Sequence, residues 1–151
     1  MPRRQICPGQ WLIVDRQPAD KLRRAISALP RGSGVLLLRR PDPHGQRWLW
    51  HAANRRSLVF LVEEQRTARR VHDQRELTRA LLKRPGLILI SPICPTSSHP
   101  DWKPLPRMRA AALARLARRK AIALGGMNQE RYAKIARLGF IGWAGISSFR
   151  T

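Results

Sequence analysis

Between Leu87 and Phe149 three features able to do chemistry follow one another. They are a hydroxyl-bearing loop from Ser91 to Pro100, an apolar run ending in Gly125-Gly126, and a second run ending in Ile146-Ser147-Ser148. Glycines lack a Cβ, so their backbone N–H groups can approach an anion closely, and the positive end of an adjoining helix adds to the attraction. In a parallel β/α barrel the loops after the last two strands often form a phosphate site, and that is where Gly-Gly and Ile-Ser-Ser would fall. Taken alone, the simpler reading of Gly125-Gly126 is a tight turn from strand to helix. The remaining reactive side chains are less organised. Cys7 and Cys94 form no C-x-x-C or Cys/His spacing, which predicts two free thiols, and His44, His51, His72 and His99 make no ligand pair.

The elements that must position these residues show as an alternation of short apolar runs with amphipathic stretches, the pattern of βαβ units around a parallel sheet. Strands are predicted at Trp11–Asp15, Val35–Leu38, Leu58–Val62, Leu87–Ile90, Ala121–Leu124 and Ile141–Ile146. The run Val35-Leu-Leu-Leu38 is apolar throughout, as a strand covered on both faces should be. Helices are predicted over Gln17–Leu29, Gln46–Asn54, Pro106–Lys120 and Asn128–Arg137, with Asn128 as the N-cap of the last. Glu63–Lys83 reads as one charged helical stretch, with room for a brief extended piece at Arg70–His72.

The chain has 151 residues, 43% of them hydrophobic, which suits one domain spanning residues 1–151. No apolar run approaches the ~18 residues of a membrane span, and the N-terminus lacks the pattern of a secretory signal, so a cytoplasmic location without membrane contact is expected. Thirty Lys plus Arg against nine Asp plus Glu give a net charge of +21. Such a charge favours anionic partners. The arginines run from Arg3 to Arg150 without forming one block, aromatic content is only 6%, and no nucleic-acid recognition motif is present. A dispersed basic surface around a site for phosphorylated small molecules is therefore expected, without specific nucleic-acid recognition.

Three segments, Ile90-Ser-Pro-Ile-Cys-Pro-Thr-Ser-Ser-His99, Ile122-Ala-Leu-Gly-Gly-Met127 and Gly139-Phe-Ile-Gly-Trp-Ala-Gly-Ile-Ser147, together resemble the thiamine-phosphate synthase family. In that family one strand ends in a Gly-Pro-Val-Phe-x-Thr-x-Thr-Lys loop, a later one in Ala-x-Gly-Gly-Ile, and the last in a Gly-x-x-x-Ile-Ser turn. Val71-His-Asp-x-Arg-Glu-Leu77 is similar to a Ser-x-His-x-x-x-Glu-Leu stretch before the first of these, so the resemblance is clearest over residues 71–149. It implies a TIM-type β/α barrel that joins hydroxymethylpyrimidine diphosphate to thiazole phosphate and releases pyrophosphate with Mg2+ assistance. By position it would place Arg39 at the diphosphate and Thr96 and Ser98 near the two substrates. Gly125, Gly126, Ile146 and Ser147 would hold the thiazole phosphate, largely through backbone. His99, in the same loop as Thr96, offers an imidazole able to carry a proton.

Several family positions differ here. The Gln-x-Arg-x-Lys pattern of the second strand is reduced to Arg39 within Leu37-Leu-Arg-Arg-Pro41, the Asn-Asp after the third strand becomes Glu63 or Glu64, and the loop lysine becomes His99. Between Glu64 and Val71 there is no room for the unit carrying the fourth strand and its magnesium-binding Asp. The expected fold is thus α/β, a truncated TIM-type barrel with about one βα unit missing after the third strand. Its open edge invites pairing with a second copy. The leading expectation for function is a divergent thiamine-phosphate synthase. The alternatives are a non-catalytic or tautomerase-like relative binding phosphorylated ligands, although Pro92 stands where the tautomerases have His, and a basic nucleic-acid-binding protein.

Overall fold

The structure, a computed structural model, describes residues 7–38 and 43–149. The chain runs β1 (Gln10–Val14), α1 (Ala19–Ala28), β2 (Gly34–Leu37), α2 (Pro43–Arg55) and β3 (Val59–Val62). It continues through β4 (Ala68–Val71), α3 (Gln74–Leu82), β5 (Leu87–Ile90), α4 (Arg107–Leu116), β6 (Ala121–Leu124) and α5 (Gln129–Ile135) to a 3₁₀ turn (Ala136–Leu138) and β7 (Gly142–Gly145). Every strand pairing is parallel. The spatial order is β3-β2-β1-β7-β6-β5-β4, so β3 and β4, neighbours in sequence, are the two outer strands of the sheet.

This is the truncated TIM-type barrel that the sequence predicts: seven strands curled into an open barrel where a complete one has eight. The link of residues 63–67 replaces the missing unit and joins β3 directly to β4. Thr67 fastens it, its hydroxyl donating to the Val62 carbonyl and accepting from the Glu64 N–H at 3.1 Å. Arg70 Nε also donates to Glu63 Oε1 at 3.0 Å, tying the last residue of β4 but one to the residue after β3.

Alternation along the strands sorts their side chains onto two faces. Leu12, Val14, Val35 and Leu37 pack with Leu22 and Ile26 of α1 and Leu49 of α2. On the other half of the sheet Ile88, Ile90, Ala121, Ala123 and Trp143 pack with Leu77 of α3 and Leu113 of α4. Trp11, Ile13, Leu36, Leu89, Ile122 and Ala144 form a third cluster without a helix residue, which fills the concave side. Each fully buried Leu or Ile contributes about 1.5–3 kcal/mol relative to exposure, so these clusters hold the strand ends in fixed relation.

Three expectations are corrected. The stretch from Glu63 to Lys83 is not one helix: β4 occupies Ala68–Val71, and α3 begins only after Asp73, whose carboxylate caps it by accepting from Glu76 N–H at 2.8 Å. Only Ala68 and Val71 of β4 are buried, while Arg69 and Arg70 are exposed, so this outer strand lacks an apolar run to betray it. Helix α4 stops at Leu116, short of Lys120, because Arg118 and Arg119 both take positive φ (46° and 60°) and turn the chain into β6. Helix α2 starts at Pro43, earlier than its apolar pattern suggests, since proline lacks only an N–H that a first helical turn leaves unused.

Candidate functional site

The strand ends of β6 and β7 and the loop after β5 meet around one cleft of about 430 Å3. The β5 loop is laced to the end of β6 by two backbone hydrogen bonds, Ile93 N–H to the Leu124 carbonyl and Cys94 N–H to the Gly125 carbonyl, each 3.0 Å. That lacing requires the Gly-Gly pair. Both glycines have positive φ (101° and 59°), and a Cβ on Gly126 would sit 2.2 Å from the Pro95 carbonyl oxygen, one on Gly125 3.0 Å from Pro92 Cα. The sequence reading assigned the missing Cβ atoms to anion approach. In the structure the space they leave is taken by the β5 loop, which the glycines draw over the strand ends.

Of the residues that the sequence pointed to, Thr96, Ser98, Gly125, Gly126, Ile146 and Ser147 all line this cleft. Thr96 and Ser98 are set by a local turn in which Ser98 N–H donates to Thr96 Oγ1 at 3.3 Å. His99 stands apart from the cleft lining: its ring stacks on Trp102 with centroids 4.1 Å apart and planes at 11°. Arg39 lies outside the described residues.

Ser148 of the Ile-Ser-Ser run also lines the cleft, as do Arg131, which sequence reasoning missed, and Asn128, which it read only as an N-cap. Asn128 caps α5, its Oδ1 accepting from Arg131 N–H at 2.8 Å. The Arg131 guanidinium folds back to donate to the Gly126 carbonyl, and the Ser148 hydroxyl donates to the Met127 carbonyl, so both turns are braced from within. Arg131 had a sequence signal. A cation three residues after an N-cap faces the positive end of the helix dipole, an unfavourable placement that an anion nearby would relieve.

The resemblance implies magnesium. Among the described residues no three His, Cys, Asp or Glu side chains are grouped to hold a metal ion, and Glu63 is engaged by Arg70. Among the described residues there is also no helix long and apolar enough to cross a membrane.

The fold matches solved structures. A thiamine phosphate pyrophosphorylase from Pyrococcus furiosus superposes with a TM-score of 0.73 at 15% identity, covering 95% of this chain and 87% of that one. A thiamine phosphate pyrophosphorylase from Bacteroides thetaiotaomicron gives 0.58 at 13% identity, with 93% and 83% covered. At such identities the likeness is one of fold. No curated protein matches the sequence. The sequence model of the thiamine monophosphate synthase family, TMP-TENI, matches residues 61–149, more than half of the molecule, and with the three strand-end motifs in place the chain belongs to that family.

Proposed function

We propose that the chain, acting as one domain, is a divergent thiamine-phosphate synthase whose thiazole phosphate is held in the cleft between the turns after β6 and β7. The observation that carries the reading is the convergence of Thr96, Ser98, Gly125, Gly126, Ile146 and Ser147 on one cavity, with Arg131 beside them. In the proposed reaction the thiazole nitrogen forms a bond to the pyrimidine methylene carbon as the bond from that carbon to the pyrophosphate oxygen breaks. The leaving group takes the electron pair, so the protein's task is to orient the two rings and to meet the growing negative charge with fixed donors. Arg39 is assigned to that charge and Thr96 and Ser98 to positioning, while His99, stacked on Trp102 outside the cleft lining, takes no part in this step.

The test is calorimetric titration with thiazole phosphate, followed by a pyrophosphate-release assay with both substrates. Ser147→Asp puts a negative charge at an exposed cleft position and should weaken thiazole phosphate at least about tenfold. Unchanged affinity in that variant sinks the assigned site. Binding without turnover by the unmodified protein favours instead the second reading, a relative that binds phosphorylated ligands without transfer, which is supported by the engagement of Glu63 with Arg70.

A further inference from the structure

A second cavity, of about 620 Å3, opens beside the outer strand β4, at the edge of the sheet left open by the missing βα unit. It is net cationic. Arg69 and Arg70 of β4, Arg79 of α3 and Lys83 at that helix's C-cap, one turn beyond Arg79, all line it. Of its two carboxylates, Glu63 pairs with Arg70, and Glu76, whose Oε2 accepts from the His72 backbone N–H at 2.7 Å, keeps its charge, so four cations against two carboxylates leave the lining net positive. Among the described residues no carboxylate pairs with Arg69, Arg79 or Lys83. Like charges one helical turn apart repel, and a third cation beside them adds to the cost, which a bound anion would reverse.

The cavity also has an aromatic wall. Trp102 is 44% exposed, yet fixed in orientation by His99 stacked on one face and by a T-shaped contact with His72 at 5.4 Å and 78°. A rigid, half-exposed ring next to uncompensated cations is the pairing of features that receives a phosphate joined to a planar base, because base stacking and phosphate attraction then act together. The net charge of +21 would draw such a ligand toward the protein.

We propose that this cavity is a nucleotide-binding site, distinct from the β6–β7 cleft, with the phosphates on Arg69, Arg79 and Lys83 and the base against Trp102. The same chemistry is offered by a free nucleotide and by a single-stranded nucleic acid, and the experiment separates them.

Binding of adenosine diphosphate, of inorganic pyrophosphate and of a single-stranded thymidine oligonucleotide is measured by calorimetry at physiological ionic strength. The parent is compared with Trp102→Ala, with Arg69→Gln/Arg79→Gln, and with a control, Lys21→Gln/Arg24→Gln, which removes equal charge from exposed positions of α1. Trp102→Ala should weaken the base-bearing ligands by roughly 5- to 100-fold, the worth of one stacked base, and leave pyrophosphate unchanged. The Arg69/Arg79 variant should weaken all the ligands that bind, at least about tenfold beyond the control. Tighter binding of the diphosphate assigns the site to a free nucleotide, and tighter binding of the oligonucleotide assigns it to a strand. If the control loses as much as the cavity variant, or if Trp102→Ala leaves the base-bearing ligands untouched, binding is diffuse charge attraction and the proposal is overturned. All substituted residues are exposed, so melting temperatures near the parent's are expected and report that each variant is folded.

Discussion

Gly34 and Trp11 are register partners on β2 and β1, and the concave side of the sheet depends on the absence of a side chain at the first to admit the second. A Cβ on Gly34 would lie 2.1 to 2.5 Å from three atoms of the Trp11 indole, where ordinary carbon contacts are about 3.5–4.0 Å. The φ of Gly34 lies outside the left-handed region, so Gly34→Ala adds no backbone strain, and its whole effect is this collision. To escape, the ring must move by more than about 1 Å, but Trp11 is 1% exposed and its Nε1 donates to the Pro8 carbonyl at 3.0 Å. Overpacking costs about 1–3 kcal/mol, and losing the indole hydrogen bond in a buried position about 1–3 more. Gly34→Ala should therefore destabilise by about 2–6 kcal/mol. Trp11→Leu alone loses buried surface and should cost about 3 kcal/mol. In the double variant the new methyl occupies space that the indole has vacated, so the combined loss should fall short of the sum by about 1–3 kcal/mol. Urea unfolding followed by far-ultraviolet circular dichroism gives all four free energies. A Gly34→Ala protein within about 0.5 kcal/mol of the parent, or a cycle additive to that margin, would refute the packing argument.

Two further outcomes can be checked on the same footing. Asp73→Ala removes the side-chain cap of α3 and should cost about 1 kcal/mol in denaturant unfolding, with Asp73→Asn restoring most of it. Burial raises the Tyr132 phenol above its ordinary value while its hydroxyl donates to the Phe140 carbonyl at 3.3 Å. The unfolded chain then ionises first, so stability is intact below pH ~10 and declines as pH rises beyond it, and a pH series of thermal melts should lose that alkaline decline in Tyr132→Phe.

The strands that could be read directly are those whose every residue is buried, such as Leu87–Ile90 and Gly34–Leu37, because an unbroken apolar run has few other uses in a chain this charged. β4 showed only as a brief extended piece at Arg70–His72, because its exposure follows from a non-local fact, the absence of a neighbouring strand, which leaves Arg69 and Arg70 facing solvent. The cleft was legible through motif order: Gly125-Gly126 and Ile146-Ser147 are far apart in sequence, but β6 and β7 are paired in register, Leu124 opposite Ala144, which brings their following turns together. The purpose of the glycines was not legible, since the Pro95 carbonyl that requires Gly126 is thirty-one positions earlier and reaches it only through the fold. Likewise His99 looked like a chemical group of the loop, while its stacking on Trp102 depends on how that loop closes.

The strand order has a consequence for how the molecule can be taken apart. Residues 7–62 supply β1 to β3 and residues 68–149 supply β4 to β7, so the two parts share a single ladder among the described residues, β1 with β7, which pairs Gln10 with Trp143, Trp11 with Ala144 and Leu12 with Gly145. Phe149 rivets this junction: it stacks on Trp143 at 5.1 Å and packs against the helix-side clusters of both parts. Severing the link at residues 63–67 interrupts no strand pairing. The protein is in effect two interlocking pieces with a covalent tether on the side away from their joint, and separately produced pieces have the ladder, the shared concave core and Phe149 with which to find one another. Such a design lends itself to fragment complementation, in which an activity returns only when both pieces meet in the same solution.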